Sequence, residues 1–259
     1  MNNQRLLPRP RWAFGDCISI LFPHRCPLCD GVLPLYPRYK APLPEKDKAD
    51  VWTHPSCYAK LRGVSEPFCL CCGIPLAREK ALCRRCEAGG FTFKQNLPLW
   101  PYDDIVRESL SRFKYHGRQQ YAVYYARAWY SQYRDYLSFI RPDALIPVPI
   151  HAGRLRKRGY NQAALLAAEL EKLSGIPLRD DLLLRVKHTG AQKELGAEAR
   201  LANMQNAFRL KKKAEGLKRV LLIDDIFTTG STLESISRLL AGAGVAEIYT
   251  ASVAIVEKV

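Results

Sequence analysis

Two adjacent carboxylates, Asp224 and Asp225, follow the apolar run Val220-Leu-Leu-Ile223 and stand just ahead of the hydroxyl-rich run Thr228-Thr-Gly-Ser-Thr232. An acidic pair can hold the vicinal hydroxyls of a sugar, or a metal ion. Small hydroxyl side chains let a phosphate approach closely and add donors, and Gly230 is free to take a positive φ. A phosphate cradle beside a diol clamp suggests a phosphorylated ribose. The plainer alternative is a strand that ends in an acidic turn with a threonine helix cap.

These residues need a strand, a tight turn and a helix to position them. Val220 to Ile223, without a polar break, reads as a strand buried on both faces, with the acids at its carboxyl end. Leu233, Ile236 and Leu240 recur at helical spacing, so a helix begins near Ser231 or Thr232. The open N–H groups and the dipole of a helix N-terminus then point at whatever lies in the turn.

A second kind of chemistry is carried by cysteine. All nine cysteines lie at or before Cys86, which marks a separate N-terminal region. Paired Cys-x-x-Cys without a secretory signal points to metal and not to disulfides. Cys69-x-x-Cys72 and Cys83-x-x-Cys86 give four thiolates in tetrahedral reach, as in a zinc ribbon, with Gly73 placed for the sharp turn. Upstream, Cys26-x-x-Cys29 pairs with His54-x-x-Cys57 in a Cys3His set. Zinc accepts imidazole as readily as thiolate, while an ordinary surface histidine is the competing reading of His54. Interleaved pairing of the four knuckles stays open. Cys17 reads as a small core residue and Cys71 as a bystander. Both zinc sites would be structural, because protein ligands fill every position. A module of about 70 residues needs such staples to fold.

The 259 residues suit a small domain plus a medium one, and 47% apolar content supports a real core. The expected divisions are an amphipathic segment over 1–24, a double zinc ribbon over 25–90 and an α/β domain over 91–259. No apolar run approaches the roughly 20 residues that span a bilayer. Residues 12–23 contain Gly15 and Asp16 and lack a cleavage site, so a cytoplasmic protein is expected. A formal charge of +15 favours polyanionic partners. The Pro-rich stretch 33–44 reads as a solvated loop, although Tyr36 and Tyr39 with Arg38 and Lys40 have the composition to stack bases and touch phosphates.

From Asn96 onward, strands alternate with helices, which implies a mostly parallel sheet with helices on both faces and ligands at the carboxyl ends of the strands. Strands are expected over 97–102, 144–149, 182–186, 207–210 and 247–256. Helices are expected from Ile105 to Lys114 and from Tyr121 to Tyr136, the second carrying an aromatic stripe that reads as packing. A basic turn, Arg154 to Arg158, precedes a helix capped by Asn161. Arg154, Arg156 and Arg158 would suit a pyrophosphate opposite the hydroxyl turn.

The stretch from Asp224 to Thr232 resembles the phosphoribosyl-pyrophosphate (PRPP) loop of type I phosphoribosyltransferases. The resemblance implies that Asp224 and Asp225 bind the ribose hydroxyls, and that Thr228, Thr229, Gly230, Ser231 and Thr232 bind the 5-phosphate. Purine-salvage members carry an Asp where this chain has Thr228, which argues against hypoxanthine or guanine salvage. Further motifs occur in order: the Cys-x-x-Cys knuckles, Phe113-Lys114-Tyr115, Arg158-Gly-Tyr-Asn-Gln162, Gln192 with Arg200 and Asn203, and then the PRPP loop. That order is similar to the ComF family of competence proteins, which join a double zinc ribbon to a phosphoribosyltransferase domain. Family members carry four Cys-x-x-Cys knuckles, and His54 stands where the second has its first cysteine.

The resemblance implies PRPP bound with Mg2+, two structural Zn2+, and a flexible hood containing Gln192, Lys193 and Arg200. It also implies a role in DNA uptake, with single-stranded DNA and an uptake helicase or other uptake proteins as partners. Three readings follow: a phosphoribosyltransferase of unnamed acceptor, a nucleic-acid-binding scaffold built on that fold, and an interaction module of the uptake machinery.

Overall fold

The computed structural model describes residues 23–33, 52–186 and 207–257. The expectations for Cys17, for the loop tyrosines Tyr36 and Tyr39, and for the hood residues Gln192, Lys193 and Arg200 therefore lie outside the described residues.

Four parallel strands form the sheet, in the order β1 (Gln95–Pro101), β6 (Glu247–Ile255), β5 (Arg219–Phe227), β2 (Ala144–Pro147). β5 is central, and its residues Val220 to Ile223 are all buried. Leu221 and Ile223 join one core with Tyr125, Trp129, Leu166 and Leu170. Val220 and Leu222 join the other with Ile146, Leu233, Ile236 and Leu240. An apolar run without alternation is what a strand covered on both faces requires. β5 continues beyond the expected end, so the acidic pair lies inside the strand and not after it.

Helix α3 (Asp104–Tyr115) starts where the Asp103 carboxylate accepts from the Val106 N–H, and it buries Val106, Leu110 and Phe113. Helix α4 (Tyr121–Ile140) runs four residues longer than its aromatic stripe suggests. The stripe is packing, as expected. Tyr121, Tyr124, Tyr125 and Trp129 are buried, the Trp129 indole donates to the Leu97 carbonyl, and the Tyr133 hydroxyl donates to that of Pro98. Helix α6 (Gln162–Ser174) is capped by Asn161, whose side chain accepts from the Ala163 N–H. Helix α7 (Ser231–Gly242) follows β5, and a two-stranded antiparallel ribbon pairs β3 (Leu183–Arg185) with β4 (Phe208–Leu210).

One expectation is corrected. Arg154 to Arg158 is not a turn but the body of helix α5 (Ala152–Arg158). The His151 ring accepts from the Gly153 N–H at 3.1 Å, and Gly159 closes the helix at φ 79°. A side-chain cap and a left-handed glycine supply the ends that the charged interior does not advertise.

Two single-turn helices, α1 (Pro55–Tyr58) and α2 (Arg84–Glu87), belong to the cysteine region. Its knuckles do not stand apart from the sheet. The Ser109 hydroxyl donates to the Pro27 carbonyl at 2.6 Å, and Arg112 donates to that of Leu28 at 3.0 Å. Arg118 and Tyr121 both donate to the Asp30 carboxylate. On the other side, the Asn96 backbone and side-chain N–H groups donate to the carbonyls of Cys71 and Cys72.

Candidate functional site

The carboxyl end of β5 brings the acidic pair within reach of two cations, Lys114 and Arg185. Lys114, at the end of α3, places its Nζ 2.9 Å from an Asp225 carboxylate oxygen, with both side chains 16% exposed. The Asp225 N–H donates to the Asp224 carboxylate at 2.8 Å. Burial, then the charge of Asp225, push the Asp224 carboxyl up to about 7, while Lys114 and Arg185 pull it down. Arg185, at the end of β3, lies over the Phe208 ring at 5.3 Å. Burial lowers its guanidinium from its ordinary value, and the charge of Arg154 adds to that, while Asp224 opposes it. Arg185 thus stands within electrostatic reach of both an acid and a base of the site.

The turn that follows is arranged as its composition suggests. Gly230 is the N-cap of α7 at φ 71° and supplies no side-chain cap, and the Thr229 hydroxyl accepts from the Ser231 N–H at 3.4 Å. The Thr229 and Ser231 hydroxyls are 2.8 Å apart. Ser231 is buried, Thr229 and Thr232 are half-buried, and Thr228 is exposed. The N–H groups of the first helical turn and the helix dipole, beside four hydroxyls, make an anion cradle.

A cavity of about 570 Å³ is lined by Lys114, Tyr115, Gly117, Arg154, Lys157, Arg158 and Tyr160. Arg158 donates to the Gln162 side chain at 2.9 Å and to the Tyr115 hydroxyl at 3.1 Å, and its guanidinium lies 4.8 Å over the Tyr115 ring. Tyr115 is 64% exposed. Of the three arginines expected here, Arg154 and Arg158 line the cavity. Arg156 is exposed and is not among the lining residues. Lys114 joins the two halves, since it lines the cavity and pairs with Asp225.

Sequence reasoning assigned no role to Lys114, Tyr115 or Arg185. The Phe113-Lys114-Tyr115 motif was a signal for the first two. Arg185 had none beyond its place at the end of a short strand.

The cysteines gather into two clusters, Cys26, Cys29, His54 and Cys57, and Cys69, Cys72, Cys83 and Cys86. Within each, the ligand atoms lie within 4.8 Å of one another. The knuckles therefore pair in sequence order and do not interleave. Zn–S bonds of about 2.3 Å imply sulfur–sulfur edges of about 3.8 Å in a tetrahedron, and the Cys72–Cys83 separation is 3.7 Å. His54 Nδ1 lies 3.3 Å from the Cys29 sulfur and 3.9 Å from that of Cys57, while Nε2–H donates to the Val32 carbonyl at 3.1 Å. That outer hydrogen bond fixes the tautomer a metal-facing Nδ1 needs. In the second cluster burial pushes the Cys72 and Cys86 thiols up. Cys69 is drawn down to about 7 despite its burial, by the N–H groups of Cys72 and Cys83. Four sulfurs in the second set, and three sulfurs with a metal-facing imidazole in the first, are gathered closely enough to serve as tetrahedral donors, so both donor sets fit zinc. Cys71 stays outside, its thiol directed at the Phe93 carbonyl.

Residues 127–258 match the family described as the phosphoribosyl transferase domain. The chain is similar to competence protein F of Haemophilus influenzae, at 36% identity over 189 residues, which cover 71% of this chain and 82% of that protein. It is similar to competence protein ComFC of Bacillus subtilis at 33% identity, over 73% of this chain and 78% of that one. A DNA utilization protein of Salmonella typhimurium is 30% identical over 74% of this chain and 86% of its own. Among the described residues no helix is long and apolar enough to cross a membrane.

Proposed function

We propose that this chain, which belongs to the ComF family of competence proteins, binds PRPP with Mg2+ and acts in DNA uptake in the cytoplasm, in contact with single-stranded DNA. The observation that carries the phosphosugar half is the Lys114–Asp225 pair, which joins an acidic clamp, a hydroxyl turn and a cationic cavity at the carboxyl end of the central strand. In this reading the 5-phosphate takes the N–H groups and hydroxyls of Thr228 to Thr232, and Asp224 and Asp225 accept from the ribose hydroxyls. The pyrophosphate lies toward Lys114, Arg154 and Arg158, with Arg185 adding charge within electrostatic reach of Asp224. Magnesium arriving with the pyrophosphate would neutralise charge on that leaving group.

If transfer occurs, cleavage at the anomeric carbon develops positive charge on the ribose ring. An enclosed acidic pair stabilises that charge more than water does.

The DNA half of the reading rests on the relatives' names, on the +15 charge and on Tyr115. Tyr115 is an exposed aromatic backed by the Arg158 guanidinium at the mouth of a basic cavity. An aromatic face beside cations suits stacking of unpaired bases.

Calorimetry with PRPP and Mg2+ tests the site directly. The wild type is expected to bind, and Asp224→Ala/Asp225→Ala to lose binding. A wild type that does not bind leaves the fold as a scaffold, and the DNA reading then leads. Oligonucleotide affinity is expected to fall steeply as salt rises, because phosphate contacts release counterions.

A further inference from the structure

The second cysteine cluster and the hydroxyl turn are in direct contact. Arg85 lies on α2, between the ligands Cys83 and Cys86. Its guanidinium donates to the Thr229 carbonyl at 2.5 Å, across 144 residues of sequence, and lies 4.3 Å over the Phe91 ring. Phe91 stacks on Phe93 at 4.5 Å and meets Phe227 edge-on at 5.9 Å. These rings close on Gly230, where a Cβ would lie 2.7 Å from both Phe91 and Phe227. Next along the chain, the Thr92 N–H and hydroxyl donate to the Glu234 carboxylate at 2.7 and 2.9 Å. Glu234 is in the first turn of α7, and its side chain is 3% exposed. The segment from Arg85 to Thr92 therefore grips the turn at Thr229, at Gly230 and at the helix start.

The contact at Thr229 sets the direction of a donor. In a planar trans peptide the C=O and the following N–H point opposite ways. A guanidinium holding the Thr229 carbonyl thus aims the Gly230 N–H away from Arg85, and the phosphate site depends on where such N–H groups point. We propose that Arg85 is a positioning residue that couples the second cysteine cluster to the phosphate turn. Metal held by Cys69, Cys72, Cys83 and Cys86 fixes α2, and α2 fixes the turn through Arg85. This rests on the phosphosugar reading above. Coupling of this kind is reciprocal: a phosphosugar in the turn tightens the hold on zinc by the factor by which zinc tightens the hold on the phosphosugar.

The test compares the wild type, Arg85→Ala and Arg85→Lys, each full length and zinc-loaded. It measures PRPP affinity by calorimetry, zinc content, and the rate of zinc release to a colorimetric chelator with and without PRPP. Arg85→Ala is expected to keep its zinc and bind PRPP roughly tenfold more weakly, within the range usual for coupled sites. Arg85→Lys, which keeps a donor but not the stacking plane, is expected to recover part of the loss. PRPP is expected to slow release of one zinc equivalent from the wild type and not from Arg85→Ala. Equal PRPP affinity in wild type and Arg85→Ala overturns the coupling, as does equal slowing of zinc release in both. Loss of zinc from Arg85→Ala also counts against it, since the cluster itself has then collapsed. A wild type that fails to bind PRPP overturns the phosphosugar reading and this proposal with it.

Discussion

Asp224 keeps its proton to about pH 7 because burial, and then the neighbouring Asp225 charge, disfavour a second carboxylate. Its folded value lies above its unfolded one, so the native state binds that proton more tightly. The stability it contributes is complete below about pH 4 and is lost as pH rises through 7. Asp224→Asn removes that loss. It is expected to stabilise the chain more at pH 8 than at pH 5, by about 2 kcal/mol. Urea unfolding at the two pH values checks this, and an equal gain at both would mean that Asp224 titrates as an ordinary carboxyl. A group held away from its preferred charge, in a cleft of cations, is the kind of residue a binding site retains at a cost in stability. The composition of the motif pointed to the acidic pair; its cationic partners, Lys114 and Arg185, come from other elements.

At the scale of elements, the turn between β5 and α7 depends on a glycine for two separable reasons. Gly230 has φ 71°, and the rings of Phe91 and Phe227 leave no room for a Cβ. Gly216 has a similar φ of 77° with nothing within 4 Å. Gly216→Ala is therefore expected to cost about 1 kcal/mol, for the left-handed backbone alone. Gly230→Ala is expected to cost about 3 kcal/mol, since ring displacement is added, and to weaken PRPP binding. Denaturant midpoints of the two variants decide the matter, and equal costs would show that the rings yield freely. Helix α5 shows the limit of pattern reading. Arg154 to Arg158, with no buried face, read as a basic turn, yet the His151 cap and Gly159 make them part of a helix, whose Arg154, Lys157 and Arg158 all face the cavity.

At the scale of the molecule, the two cysteine clusters serve different parts of the phosphoribosyltransferase-type domain. The first packs on α3 and α4, through Pro27, Leu28 and Asp30. The second packs on β1 and, through Arg85 and Thr92, on the turn and α7. Cys26→Ser and Cys69→Ser are each expected to lose one of two zinc equivalents, measured by native mass spectrometry. Only Cys69→Ser is expected to weaken PRPP binding. Unchanged zinc in either variant would remove that cysteine from the ligand set.

The sequence by itself determined what is local. Each Cys-x-x-Cys pair, and separately the run from β5 through the acids and the hydroxyl turn to the helix start, spans only a few residues, where chain geometry alone fixes the relation. The tertiary structure decided everything that joins distant segments: which knuckles pair, that Lys114 meets Asp225, that Arg154 and Arg158 face the cavity and Arg156 does not, and that Arg85 reaches Thr229. Those contacts depend on the strand order β1-β6-β5-β2, which sets the first strand beside the last and brings the cysteine region onto the carboxyl-terminal turn. Residue spacing has no term for that order. It is set by which apolar faces bury one another when the sheet assembles.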